Sequence, residues 1–198
     1  MRPTLVIREI EDAQREILDA LGVGRVEPAY LDLANTPARV AKMMVNELMS
    51  SYHPGAIEGL VRAMTTFPSE GKHEMVVVGP IPFTSLCAHH MIPFMGDAYV
   101  GYIPDRKIVG LSKVARVVEF FSRKLQIQER MTSEVADFLK DQLAPKGVGV
   151  RLWARHLCME ARGVRKAGVG TTTTALRGGF TGANVKSEFF QTIADSRR

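Results

Sequence analysis

The stretch TSLCAHHMIPF, residues 84 to 94, places Cys87, His89 and His90 within four positions of a chain that has only two cysteines and five histidines. The other cysteine stands in RHLCME, where His156 and Cys158 are two apart. On a strand, residues i and i+2 share a face, so this imidazole and thiolate are expected to project together. Thiolate sulfur and imidazole nitrogen are the ligands that zinc prefers, and Cys87, one of the two adjacent histidines, and Cys158 make a set of three. Three protein ligands leave a fourth position for water, the arrangement of a catalytic ion rather than a structural one. The remaining histidines titrate near neutrality and suit proton transfer. Two other readings stay open at this point. Cys87 could be a nucleophile activated by a neighbouring histidine, which leaves the His156/Cys158 pair without a task. Alternatively, the cysteines are inert buried hydrophobes and the histidines structural.

The elements that must position these residues follow from periodicity. IEDAQREILDAL, residues 10 to 21, sets Ile10, Ala13, Ile17 and Leu21 on one helical face, with Glu11 and Arg15 paired outside, and Gly22 and Gly24 end it. NTPARVAKMMVNELMSS predicts a second helix, with Thr36 as N-cap, Pro37 at the favoured first position and Val40, Met44 and Leu48 lining a face. Residues 53 to 73 carry little periodicity and read as a connection. EMVVVGPI and GDAYVGYIP predict strands. GLSKVARVVEFFSRKL predicts a helix with the stripe Val114, Val117, Val118 and Phe121, capped by Ser112. QERMTSEVADFLKDQL predicts another through Met131, Val135, Phe138 and Leu139. VGVRLWARHLCME alternates as a strand, and TTTTAL follows as one more because threonine is β-branched. Strands, then helices, then strands imply α+β with an antiparallel sheet. The expected division is a helical portion over residues 1–72 and a catalytic domain over 73–198.

Composition sets the bounds. The chain has 198 residues, 45% apolar and 24% charged, values of a globular domain with a sizeable core. No apolar run approaches the ~18 residues of a membrane span. The first residues meet an acidic side chain by Glu9 without an apolar core, so a cytoplasmic protein is expected. Two cysteines are too few for a disulfide framework. The net charge of +5 is scattered, with groupings at Lys113/Arg116, Arg151/Arg155 and Arg162/Arg165/Lys166 that suit a small polyanion as well as DNA. A zinc-stabilised nucleic-acid module would need four closed ligands and interleaved aromatics; aromatics are only 7% here and no groove-reading motif is present.

With these residues in view, the sequence resembles the GTP cyclohydrolase I family. The family's pattern CEHH, PF.G, GYIP, GLSK..R, VQER.T and H.C...RG is matched here. The matching segments are Cys87-Ala-His-His90, Pro93-Phe-Met-Gly96, Gly101-Tyr-Ile-Pro104, Gly110-Leu-Ser-Lys113 with Arg116, Ile127-Gln-Glu-Arg130 with Thr132, and His156-Leu-Cys158 with Arg162-Gly163. Thr171 to Thr174 match its threonine segment, and the helix holding Arg39 and Lys42 matches its TP.R.AKM motif. The resemblance runs from about residue 35 onward and is loose before that. One departure stands at Ala88, where the family usually has glutamate, a residue that could orient a histidine from behind.

The resemblance implies a tunnelling fold, in which antiparallel sheets with helices on one face join between subunits into a barrel, usually in a homodecamer. It implies Zn2+ held by Cys87, His90 and Cys158, His89 as the acid–base residue that protonates the purine at nitrogen 7, and His156 and Ser112 as further proton carriers. Glu129, with Gln128 beside it, would recognise guanine, and Lys113, Arg116, Arg162, Arg39 and Lys42 would bind the triphosphate. The implied reaction opens the imidazole ring of GTP, releases formate and forms 7,8-dihydroneopterin triphosphate, with sites at subunit junctions and no nucleic acid or membrane as partner. Sister enzymes of the fold differ at the ligands: the nitrile reductase uses a nucleophilic cysteine without metal, and the pyruvoyl-pterin synthase uses three histidines.

Overall fold

The structure, a computed structural model, describes residues 3–23, 31–71 and 74–196. The chain divides into two compact units, Met1–Ala56 and Ile57–Arg198. The expected boundary between residues 72 and 73 lies outside the described residues, as does Gly24.

In the first unit, α1 (Pro3–Ala20) begins earlier than its strongest periodicity suggested. Its half-buried stripe runs through Ile7, Ile10, Gln14 and Leu18, whereas Ile17 and Leu21 are exposed, so the inward face is rotated from the expected one. The outer Glu11–Arg15 pair forms as expected, at 2.8 Å. Asn35 rather than Thr36 holds the N-cap position of helix α2 (Thr36–Met43), without a side-chain hydrogen bond to the helix, and Pro37 lies in its first turn. The chain then widens into one π-helical turn, Met44–Leu48, instead of continuing as a regular helix. Ala41 and Val45 form the buried line of this segment.

The second unit carries the sheet. Helix α3 (Ala56–Ala63) leads into β1 (Thr66–Pro68), which pairs with β4 (Lys107–Val109) in a small two-stranded ribbon. Both β1 and α3 fall where a bare connection was expected. The main sheet has the order β5-β2-β3-β6-β7, built from β2 (Val76–Cys87), β3 (Pro93–Ile103), β5 (Leu125–Gln126), β6 (Gly147–His156) and β7 (Gly170–Gly178). All neighbours are antiparallel except β2 and the two-residue β5. Between the strands lie α4 (Leu111–Ser122) and α5 (Gln128–Leu143). This is the α+β class that the order of elements implied.

Alternation explains which side chains face which way. Ala98, Val100 and Tyr102 of β3 and Val148, Val150, Leu152 and Ala154 of β6 pack on one face against α4 and α5. The expected α4 stripe, Val114, Val117, Val118 and Phe121, is buried there in full. On the opposite face Tyr99 meets Phe180, Phe189 and Ile193, the last two from α7 (Ala183–Asp195), a helix that the sequence reading did not anticipate. Gly101 and Gly149 are cross-strand partners on that face. A Cβ on Gly101 would lie 2.9 Å from Phe189 Cε2, and one on Gly149 would overlap the Phe180 ring, so the glycine pair forms a notch that seats the two aromatic rings. Among the described strands, β7 has an open outer edge and β2 is paired by β5 only at Leu86 and Cys87. No described helix is long and apolar enough to cross a membrane.

Candidate metal centre

Cys87 is the last residue of β2 and is 5% exposed. The chain turns immediately after it. The Cys87 amide donates to Ile92 O at 3.0 Å, and its carbonyl accepts from His90 N at 3.3 Å and Met91 N at 2.8 Å. Met91 takes a left-handed φ of 55° to close the turn. Ala88 N donates to Gln126 O at 2.8 Å, which ties the turn to β5. Gln126 is fully buried and its amide is committed to the fold: Nε2 donates to Phe121 O at 3.0 Å and to Glu134 at 2.7 Å, and Oε1 accepts from Arg130 at 2.9 Å. This bracing leaves His89 and His90 exposed on the turn.

The second ligand segment departs from expectation in one respect. Strand β6 ends at His156, and Cys158 lies in a single helical turn, α6 (Leu157–Glu160). The two side chains are therefore placed by a strand end and a helix start, not by strand alternation. Nevertheless Cys87, His90 and Cys158 come together, one ligand atom of each lying within 4.8 Å of the others. His89 Nδ1 is 3.5 Å from Cys87 Sγ, and Arg162 donates from Nη1 to His90 Nε2 at 3.0 Å. Burial and the neighbouring Cys87 push the Cys158 thiol above its ordinary value, because two adjacent sulfurs resist ionising together. A bound dication removes that resistance, and its ligands must be deprotonated to hold it.

His156, two residues before Cys158 at the end of β6, forms a second side of the site. It is the cross-strand partner of Phe94, and the two rings stack at 4.7 Å between centroids with 2° between their planes. Its Nε2 lies 2.8 Å from Oε1 of Gln128, the first residue of α5. Gln128 is 1% exposed, and its Nε2 donates to Thr171 O at 3.0 Å and Thr173 Oγ1 at 3.1 Å. Burial holds the His156 pKa below that of an ordinary imidazole, opposed by the Glu129 carboxylate nearby.

The other expected residues are placed as follows. Glu129 is exposed in the first turn of α5. Ser112 and Arg116 are exposed and Lys113 half-buried on the first turns of α4. The N-cap of α4 is Gly110, so Ser112 is a helical residue with a free-standing position rather than a cap. Arg39 and Lys42 are exposed on α2 of the first unit. Among the described residues, no hydrogen bond or ion pair joins Ser112, Lys113 or Arg116 to the cysteine–histidine cluster. The sequence reading missed the supports, namely Phe94, Gln126, Thr132 and Thr173. Only the threonine run and the two glutamines flanking Ile127 hinted at them, as polar side chains inside an otherwise apolar pattern.

Comparison with known proteins gives this geometry its context. A family model described as GTP cyclohydrolase I matches residues 10–194. The GTP cyclohydrolase 1 of Chlorobium chlorochromatii is 46% identical over 190 residues, covering 96% of this chain and 82% of that protein. The GTP cyclohydrolase 1 of Campylobacter jejuni is 44% identical over 192 residues, covering 96% and 97%. A solved structure of the archaeosine synthase QueF-Like in the apo form overlaps 55% of this chain and 95% of its own at 16% identity and a TM-score of 0.42, too distant to bear on function. With the family's pattern matched along nearly its whole length and its cysteine–histidine segments brought to one place, the chain belongs to the GTP cyclohydrolase I family.

Proposed function

We propose that the chain is a zinc-dependent GTP cyclohydrolase I, which hydrolytically opens the imidazole ring of GTP, releases formate and rearranges the remainder to 7,8-dihydroneopterin triphosphate. The observation that carries this reading is the convergence of Cys87, His90 and Cys158 within 4.8 Å in a member of that family. Two sulfurs and one imidazole fit zinc better than harder ions such as magnesium, and three ligands leave a position open. When bound there, zinc supplies Lewis acidity and lowers the pKa of a coordinated water.

The chain's own residues divide the remaining work. His89, exposed beside the cluster, donates a proton to nitrogen 7 of the purine, which makes carbon 8 electrophilic. His156 and Ser112 carry protons in the later rearrangement. The Glu129 carboxylate accepts from both the ring N–H and the amino group of guanine, a pattern that adenine does not offer. Gln128 supports this end of the pocket from inside, through His156. Lys113, Arg116 and Arg162, joined by Arg39 and Lys42, neutralise the triphosphate.

The open edges of β2 and β7 support a homo-oligomer in which sheets of neighbouring subunits continue one another. A decamer with pockets at subunit junctions, completed by residues of the next chain, is the form we infer. The substrate places the enzyme in the cytoplasm. Incubation of the metal-analysed protein with GTP and with ATP, followed by formate release and dihydropterin absorbance, tests the reading. Turnover of GTP alone, abolished in Cys158→Ser, is expected; a zinc-loaded protein that releases no formate from GTP would overturn it.

A further inference from the structure

The donors and acceptors around Gln128 admit only one arrangement. Its Nε2 faces the carbonyl oxygen of Thr171 at 3.0 Å, that of Leu152 at 3.5 Å and the hydroxyl of Thr173 at 3.1 Å. Two of these three are pure acceptors, so the amide cannot be turned over without setting oxygen against oxygen in a buried site. Oε1 therefore faces His156, and a bare amide oxygen 2.8 Å from Nε2 requires a hydrogen on that nitrogen.

The hydroxyls behind it are equally constrained. Thr132 donates to Gln128 O at 2.7 Å, so across the 2.6 Å Thr132–Thr173 contact Thr173 must be the donor. Thr173 then has only its lone pairs left to offer Gln128 Nε2. The loop of Gln128, Thr173 and Thr132 closes with one direction for each hydrogen. Thr132 is 1% exposed, so water has little access with which to offer an alternative.

We propose that Gln128 is a positioning residue: anchored by Thr173 and Thr132, it holds neutral His156 as the Nε2–H tautomer and leaves Nδ1 as the only ring nitrogen able to accept a hydrogen bond. Phe94 completes the restraint, because its parallel ring fixes the plane of the imidazole while Gln128 fixes the rotation within that plane. Which nitrogen a histidine offers is set by the hydrogen bond that its other nitrogen makes. The consequence for catalysis rests on the cyclohydrolase reading. Gln128 then acts on the reaction through His156 rather than by touching guanine.

Nitrogen-15 NMR of the zinc-loaded protein, at alkaline pH where the ring is neutral, reads the tautomer directly. The wild-type protein is expected to show His156 as Nε2–H, Gln128→Leu and Thr173→Val to show a mixture, and Thr173→Ser, which keeps the hydroxyl, to restore the wild-type pattern. A wild-type Nδ1–H form, or tautomers unchanged in both Gln128→Leu and Thr173→Val, would overturn the proposal. In kinetics, Gln128→Leu is expected to lower kcat for formation of the dihydropterin product, the stage in which His156 carries protons, by about 100-fold with KM for GTP unchanged. A raised KM with kcat intact would mark a direct substrate contact and likewise overturn it. Should the wild-type protein release no formate, the functional reading fails, while the tautomer measurement still decides this point.

Discussion

The two walls of the cysteine–histidine site are built by opposite means. On one side, the turn from Cys87 to Met91 is held by backbone hydrogen bonds, and its imidazoles His89 and His90 project into solvent. On the other, His156 is half-buried, stacked on Phe94, and fastened by a side-chain network that reaches through Gln128 to Thr173 and Thr132. The first wall fixes where the chain goes and holds each imidazole by a single side-chain contact, His89 to Cys87 and His90 to Arg162. The second fixes the side chain itself, down to the hydrogen it carries. Ligands that must close on an ion gain from the former, and a group whose lone pair must point one way gains from the latter.

Removing a candidate ligand is expected to have the largest effect. Cys87→Ser should reduce metal content from one ion per chain to a small fraction, and GTP turnover by more than about 1,000-fold, as read by elemental analysis and formate release. His89→Asn separates the walls: proton transfer contributes ~10²–10⁴-fold, so kcat should fall within that range. Because His89 is exposed, the unfolding free energy measured in urea should stay within about 0.5 kcal/mol of wild type. Gln128→Leu sharpens the contrast from the other side. It leaves Thr171 O and the half-buried His156 Nε2 without their partner, which should cost about 1 kcal/mol in urea unfolding in addition to activity.

The smallest effect lies away from both walls, at the two-pronged Arg177–Asp137 pair, with contacts of 2.7 and 3.1 Å between β7 and α5. The Arg177 hydrogen bond holds the Asp137 carboxyl below its ordinary value of 3.8. A depressed carboxylate stabilises the fold fully above the unfolded pKa, and that contribution is lost as pH falls through the folded one. Asp137 is half-exposed, so Asp137→Asn should lose only about 0.5 kcal/mol at neutral pH. The difference from wild type should begin to shrink as pH falls below 3.8 and vanish only below the lower folded value, measured by unfolding across that range.

The sequence showed the ligand wall more clearly than its counterpart. Cys87, His90 and Cys158 are rare residue types at short spacing, and rarity is visible without a structure. The helix α5 was legible from end to end, because its apolar period is uninterrupted between Gln128 and Leu143. The Gln128 network was not legible, since a glutamine on a helix and a threonine on a strand betray their pairing only once β7 lies beside β6. Strand β4 and the ribbon partner β1 have three residues each, too short for a period to register. The end of β6 at His156 was hidden because Cys158 continues the alternation of Val148, Val150, Leu152 and Ala154 into the helical turn. Helix α7 went unread although Phe189 and Ile193 stand four apart, as its stripe has only two fully buried members.

The notch at Gly101 and Gly149 also has a consequence in time. Its occupants, Phe180 and Phe189, follow every strand of the sheet in chain order. Until α7 docks, a sheet that has already formed leaves the face bearing Tyr99 bare. In that interval the nascent sheet offers a hydrophobic socket with no plug, while its other face can already be covered by α4 and α5. A chaperone that engages this chain as it emerges should therefore find its footing on the glycine side of the sheet, and should let go once α7 arrives.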